Sequence, residues 1–600
     1  MGNTIIEKIF KKHSDSPIKI DDIVDITIDI RAARDFGGAN VVKNLQEHNL
    51  TVDDPNKTVF TFDCNPGGCD QKYAANQHIC RQYARQHGIR IFDIQQGIGT
   101  HLAFEQGLIT PGDTFVSTDS HANILGALGA FGQGMGDKDI AHAFAHGKTW
   151  FKVPPSVKII LKGTPSALAT PKDVVLKMLR DLGANGLLGY AAEMYGPYVE
   201  QLSLDGRVTM ASMATEMGGI IMLFPTNQAI EHYYTTNFNR SFTSVRADEN
   251  ATYEKEIIID IQDIPPQIAR PGHPEDVIDV SEVEGTPIDS GFIGSCTNGR
   301  GEDLHQVATL LQKKHIAPGR ILKIVPSTDS IWKLCLDKGY ITTFKQAGAL
   351  IGSAGCAGCA AGQIGQTGEG EVAVSSGNRN YVGKQGKGDI YLASPATVAA
   401  SLIAGAISIA EHIPAKPYDV PILPMGSSSS AITKHHTTTP MVLQGKAWVL
   451  DKDNIDTDMI YHNQYLSITN LDEMGQYCLG NLKGFEDFAS KVKTGDIVVA
   501  GKNFGCGSSR QQAVDCFKAL GVPVIIAESF GSIYERNAIN NALPILLADE
   551  ITSKIQTGDT LQVDLLKAVI INQSQNTTIQ AKSFSQVQKN IYERGGLLER

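Results

Sequence analysis

The chain has 600 residues, 42% hydrophobic and 20% charged, with ten cysteines and a formal net charge of −11. At about 100–200 residues per domain this length holds roughly three to six domains, and the ordinary apolar fraction excludes a disordered chain. The acidic balance, without any Lys/Arg run, argues against a dedicated nucleic-acid binder, so no nucleic-acid partner is expected.

Met1–Lys12 has no apolar core ahead of a small-residue cleavage site, so no secretion signal is read, and Ile6 breaks the myristoylation pattern. The cysteines are then expected as reduced thiols in a cytoplasmic protein rather than as a disulfide framework. Ile89–Phe92, Thr114–Thr118, Val157–Leu161 and Ile321–Val325 read as buried strands, alternating with helical patterns such as Asp303–Lys314. That alternation predicts an α/β fold with mostly parallel sheets. Two nucleotide motifs almost form and are rejected. Gly132, Gly134 and Gly136 spell GxGxG rather than GxGxxG, and Gly377–Lys384 is a residue too long for a phosphate loop, with Gln385 in place of Ser/Thr. Ala396–Ala410, the longest apolar stretch, is too short to span a bilayer, so no membrane partner is expected. Pro414, Pro417, Pro421 and Pro424, followed by Gly426–Ser430, mark a linker over 416–440. Beyond it, Ala447–Leu450, Asp496–Ala500 and Val522–Ala527 read as strands, with a helix from Ser508 to about Leu520. The expected domains are 1–285 and 286–415 in a large part, and 441–600 in a small one.

The chemistry concentrates in a few loops. Gly294-Ser295-Cys296-Thr297-Asn298 follows the apolar stretch Ile288–Ile293, and Gly355-Cys356-Ala357-Gly358-Cys359 comes about sixty residues later. A lone CxxC is a redox pair, a zinc half-site or an accident, but here Gly and Ala surround it, as close backbone approach to an inorganic body requires. Three thiolates suit a [4Fe-4S] cluster with one iron free of protein ligands, able to bind a substrate oxygen as a Lewis acid. Zinc with three cysteines and another ligand stays open. Asp119-Ser120-His121, His101 and Glu216 offer carboxylate and imidazole groups, though each alone is more often structural. Gly505-Cys506-Gly507-Ser508-Ser509-Arg510 presents backbone N–H groups, hydroxyls and a guanidinium to one anion, or else is an ordinary helix cap.

Together these residues resemble the aconitase superfamily, in its 3-isopropylmalate dehydratase and homoaconitase branch. The matching motifs are Asp119-Ser120-His121, Gly294–Arg300, Cys356/Cys359, Ser376–Gly383, Asp456-Thr457-Asp458 and Asn503–Arg510, in the family's order from about residue 60 to residue 545. The resemblance implies three α/β/α domains around an iron–sulfur cluster and a C-terminal swivelling β/α domain. Many bacterial members divide these parts between subunits; here the linker joins them, so no separate small subunit is expected. By resemblance, Cys296, Cys356 and Cys359 would hold the [4Fe-4S] cluster and Ser508 would be the general base. Ser509, Arg510, Ser120, Arg379, Lys384 and Asp458 would bind the substrate or organise its site. His101 paired with Asp119, and His121 paired with Glu216, would surround the iron-bound water, while Asn298 and Asn378 would support the cluster.

Two positions depart from the family. Asp63-Cys64 stands where the family usually has Asp-His, whose His helps the hydroxyl leave as water. A thiol of ordinary pKa, about 8.5, also donates a proton but differs in reach and carries no positive charge. Lys384 replaces an Arg and loses its planar fork. The implied activity is a hydro-lyase or isomerase of amino-acid biosynthesis acting on a small dicarboxylate. No Arg occurs between Arg379 and Arg510, and Tyr461–Thr469 offers neutral and apolar groups with His462 the single potential cation. A third carboxylate would lack a partner there, whereas an alkyl group would suit Tyr465, Leu466 and Ile468. The expected substrate is therefore 3-isopropylmalate-like. The alternatives are a tricarboxylate hydratase of the homoaconitase or aconitase type, a cluster-free RNA-binding relative, and a thiol sensor or structural metalloprotein.

Overall fold

The computed structural model describes residues 2–66, 70–238, 242, 244–360, 362–418, 440–466, 468, 470–507 and 510–598. The chain divides into two compact units, Met1–Met425 and Gly426–Arg600. Most of the expected linker, as well as Ser508 and Ser509, lies outside the described residues.

Three larger sheets organise the large unit, beside an antiparallel pair of Ile23–Thr27 with Lys148–Lys152. In the first, five parallel strands run in the order Arg90–Phe92, Thr58–Thr61, Ile30–Arg34, Thr114–Ser117, Phe131–Gly134. The chain enters at the middle strand, steps out to one edge, then returns to fill the other side. Loops leaving the central strands in opposite directions open a crevice at their carboxyl ends, the usual ligand position in such sheets. Strands buried on both faces need no apolar alternation, which is why Ile30–Arg34 is buried at every residue.

The second sheet has four parallel strands, Ile221–Leu223, Ala191–Tyr195, Ser156–Lys162 and Lys255–Asp260. The third repeats the reversal of the first. Ser290–Ile293 lies between Ile321–Ile324, leading to Leu350–Ile351, and Val372–Ser375, leading to Asp389–Ala393, all parallel. Gln267–Ala269 and Val277–Asp279 extend it antiparallel. The apolar stretch near residue 400 forms the helix Pro395–Ala404, buried along its whole length. It packs so closely that a Cβ on Gly291 would collide with Leu402.

The small unit holds one mixed sheet ordered Ile545–Leu547, Ile525–Ala527, Ile497–Ala500, Val442–Leu450, Thr560–Asp564, Val569–Asn572, Thr577–Gln580. Its pivot, Val442–Leu450, pairs parallel through Ala447–Leu450 and antiparallel through Val442–Lys446. The strand read from Val522 starts at Ile525, beyond Pro523, which has no N–H to offer a ladder. The helix read from Ser508 is Gln512–Ala519, because Gly505 (φ +74°) and Gly507 (φ +96°) hold the preceding loop in left-handed conformations. Similarly, the helix read to Lys314 ends at Leu311, ahead of left-handed Lys313. Among the described residues, no helix is long and apolar enough to cross a membrane.

Candidate active site

The crevices of the first and third sheets share one cavity of about 270 Å³. The first sheet lines it with Arg34, Phe36, Cys64, Tyr73, Thr118, Asp119, Ser120 and His121; the third adds Cys296, Cys356, Cys359, Ala360, Arg379 and Lys384. Cys296 follows strand Ser290–Ile293, the CxxC pair follows Leu350–Ile351, and Arg379 follows Val372–Ser375. The backbone turns sharply to aim the thiols. Ser295 (φ 71°) and Ala357 (φ 50°), each beside a cysteine, take left-handed conformations that cost a non-glycine residue of order 1–3 kcal/mol. The Cys356 N–H donates to the Asp63 carbonyl at 2.9 Å, tying the two sheets together. Asn378 stands between two sulfurs, its Nδ2 3.6 Å from Cys296 and its Oδ1 3.8 Å from both Cys296 and Cys359. Burial pushes the Cys296 thiol up to about 12 and Cys356 well above the ordinary range, with Cys359 raised as well. Three converging soft donors that lose their protons on coordination fit an iron–sulfur cluster.

Arg34 is the principal residue that sequence reasoning missed. Its Nε donates to Asp63 Oδ1 at 2.7 Å, Nη1 to Asp119 Oδ1 at 2.9 Å, and Nη2 to Cys356 Sγ at 2.6 Å. An Arg ending a wholly buried strand beside Asp35 was the available signal. Asp63 does not itself line the cavity. One oxygen holds Arg34 while the other accepts the Gly99 N–H at 2.8 Å. Burial raises its carboxyl to about 6, against the pull of Arg34. Cys64 does face the cavity, its sulfur 3.6 Å from Asp63 Oδ1, and burial keeps this thiol firmly protonated. Asp35, Asp63 and Cys64 bring ligand atoms within 4.8 Å of one another. Asp35 already accepts from the N–H groups of Cys64 and Asn65 and from Gln77, so these acids serve as anchors for donors.

His101 was expected to pair with Asp119, which acts on it through charge alone; its Nε2 donates to the Cys296 carbonyl at 3.0 Å, and its Nδ1 accepts from Arg300 Nη1 at 3.3 Å. A carbonyl only accepts and a guanidinium only donates, so the ring is fixed as the neutral Nε2–H tautomer. Burial, reinforced by the Arg300 charge, lowers its pKa to about 3. Between pH 6.5 and 3 the unfolded chain binds a proton that the folded protein refuses, so this ring makes stability fall as pH falls through that window. His101→Gln should flatten that part of the stability–pH curve of the cluster-free protein, measured by urea unfolding; an unchanged curve would refute the assignment.

His121, by contrast, faces the cavity, with Nε2 3.3 Å from Glu216 Oε1 and Nδ1 3.3 Å from Ser120 Oγ. Burial would raise Glu216, but the His121 hydrogen bond and the Arg379 charge hold it below the ordinary range. Arg379 Nε donates to the same carboxylate at 2.7 Å. Lys384 Nζ donates to the Cys359 carbonyl at 3.0 Å. Asn298 turns away from the thiols: its amide donates to Thr209 Oγ1 at 3.2 Å and Asp303 Oδ1 at 3.0 Å. Buried Lys172, also missed from sequence, donates to the Gly377 carbonyl at 2.7 Å and fixes the loop just ahead of Asn378. Burial lowers that ammonium to about 8.

In the small unit, Asp456 caps the helix Thr457–Ile460 by accepting from the N–H groups of Asp458 and Met459, each at 2.8 Å. Arg510 Nη1 then reaches Asp458 Oδ1 at 2.6 Å and the Tyr461 carbonyl at 2.9 Å. The Arg510 hydrogen bond holds Asp458 below the usual carboxylate range. The expected alkyl wall is largely committed elsewhere. Tyr465 stacks on Tyr477 with ring centroids 3.9 Å apart, and Ile468 packs against the core. Leu466 remains exposed. His462 Nδ1 accepts from the Gln464 N–H at 3.2 Å.

Comparison with known proteins adds a second line of observation. The profile of the aconitase family (aconitate hydratase) matches residues 7–405, and that of the aconitase C-terminal domain matches residues 441–550. The 3-isopropylmalate dehydratase large subunit 1 of Methanopyrus kandleri is 37% identical over 412 residues, covering 68% of this chain and 99% of that protein. The mitochondrial homoaconitase of Debaryomyces hansenii is 29% identical over 653 residues, covering 99% of this chain and 94% of that one. A solved 3-isopropylmalate dehydratase from Methanocaldococcus jannaschii shares 39% identity over 26% of this chain and 92% of its own, with a TM-score of 0.25.

Proposed function

The chain belongs to the aconitase family of hydro-lyases, and from that premise we propose that it acts on a 2-hydroxy dicarboxylate of the alkylmalate type. The reaction removes and re-adds water through an unsaturated intermediate, with 3-isopropylmalate the leading substrate. The observation that carries this reading is the convergence of three thiols, His121, Arg379 and Lys384 on one cavity of about 270 Å³.

In this reading Cys296, Cys356 and Cys359 hold a [4Fe-4S] cluster. Bound there, the cluster supplies a Lewis acid for the substrate hydroxyl. His121, steadied by Glu216, is the cavity's imidazole and passes a proton to the departing hydroxyl. Cys64 serves as a neutral, protonated wall beside it, because a thiol pushed so far above neutrality is a poor acid. Arg379 and Lys384 supply positive charge for a substrate carboxylate in the cavity; the family resemblance gives Ser509 and Arg510 carboxylate binding as well. Ser508 takes the proton α to that carboxylate. Asp63 and Glu216 act through the residues they hold, and His101 stays neutral against the Cys296 carbonyl. No separate small subunit is needed, a reading supported by the homoaconitase match across 99% of this chain.

Substrate size follows from the inventory of cations. Arg34 spends its guanidinium on Asp63, Asp119 and Cys356, and no Arg occurs between Arg379 and Arg510, so neither offers a third buried carboxylate a free fork. Leaving it unpaired costs several kcal/mol. The whole-chain match to a homoaconitase favours a second reading, a tricarboxylate hydratase in which Lys384 meets the distal carboxylate. A kcat/KM comparison on anaerobically reconstituted enzyme separates the two. An alkylmalate should lead the panel; citrate or homocitrate ahead of every alkylmalate by tenfold or more would overturn the first reading.

A further inference from the structure

Arg34 is charged, almost wholly buried, and bonded to a sulfur that the reading above gives to the cluster. The residues on either side of it come from both strands that flank its own. Asp63 follows Thr58–Thr61 and Asp119 follows Thr114–Ser117. These two carboxylates take Nε at 2.7 Å and Nη1 at 2.9 Å, and the Arg34 N–H donates to Thr118 Oγ1 at 2.9 Å. A planar fork pinned at two corners leaves its third corner a single direction, and there Nη2 meets Cys356 Sγ at 2.6 Å. The sulfurs of Cys296 and Cys359 meet the neutral amide of Asn378 instead.

We propose that Arg34 is a positioning residue that donates a charged hydrogen bond to the Cys356 sulfur and so raises the reduction potential of the cluster. The inference rests on the cluster reading above. A thiolate that accepts a hydrogen bond gives less electron density to the metal it ligates, and the reduced, more negative state gains most from a nearby cation. Hydrogen bonds to sulfur and local net charge are among the protein's main controls on cluster potential. An arginine that only fastened Asp63 to Asp119 would act on the potential by charge alone, and Arg34→Lys would then keep the wild-type value.

The test uses the full chain, reconstituted anaerobically as wild type, Arg34→Gln and Arg34→Lys. Iron and sulfide content are assayed, and the midpoint potential is followed by electron paramagnetic resonance. At full cluster content, Arg34→Gln should titrate at a more negative potential than wild type, with Arg34→Lys between them. A fully loaded Arg34→Gln protein at the wild-type potential would overturn the proposal. A second measurement does not depend on the variants loading. Reduced wild type labelled with 15N-arginine should show a nitrogen hyperfine coupling to the cluster, and its absence would equally overturn the assignment. A wild-type chain that takes up no cluster would instead remove the premise, so the two failures are distinct.

Discussion

Changing any one of Cys296, Cys356 and Cys359 to Ser should abolish both the iron–sulfur absorbance of the reconstituted protein and its turnover, whereas Cys335→Ser should alter neither. The first three thiols line one cavity, and strained or glycine-rich turns aim them there. Serine replaces a soft donor that gives up its proton on coordination with a hard one that keeps it, so the ligand set drops to two. Cys335 is also buried, but on the helix Asp329–Asp337 within the apolar core of the third sheet, where it acts as a small hydrophobe. Absorbance spectra with iron and sulfide assays decide the matter. A full cluster in two of the three variants would remove the assignment.

The other large effect is expected at the base. Ser508→Ala should lower kcat by about 10²–10⁴-fold with KM nearly unchanged, since a hydroxyl that only moves a proton contributes little to binding. Arg510→Lys should behave differently, raising KM as well as lowering kcat. The present Nη1 bonds to Asp458 and Tyr461 fix the guanidinium plane, and an ammonium has no plane to fix. Steady-state kinetics on both variants separate proton transfer from anion binding. Near-wild-type turnover by Ser508→Ala would leave neighbouring Cys506 to take the proton. That thiol is poorly prepared for it, because burial and Asp456 raise its pKa.

Residues that carry chemistry by type and local spacing were legible in the sequence. The cysteines, Asp119-Ser120-His121 and Arg379 all come to the one cavity because each follows a strand end, and strand runs are visible as apolar stretches. Pairing across the fold was not legible. Nothing local tells His101 that its partners are Arg300 and a carbonyl rather than Asp119, since the contact spans 199 residues of chain. Arg34 stayed hidden for the same reason: its three acceptors lie on three separate loops. Lys172 reads as an ordinary helix lysine, and only its burial against Gly377 reveals a role. Conversely, the aromatic run Tyr461–Tyr465 looked available to a ligand because a sequence does not show that Tyr477 stacks on it.

The division between residues that face the cavity and those that hold them has an evolutionary consequence. Cys64 and Lys384 face it, so exchanging either for another residue changes what the pocket accepts while the framework stays paired. Asp63 and Glu216 stand behind, Asp63 neutralising the buried Arg34 and Glu216 the half-buried Arg379. Losing one partner of such a pair costs about 3–5 kcal/mol, a large share of a domain's stability. Substrate range can therefore drift by single steps through the facing residues, whereas the residues behind them change only in compensated pairs. A single exchange at Cys64 or Lys384 thus reshapes the pocket without breaking either arginine–carboxylate pair.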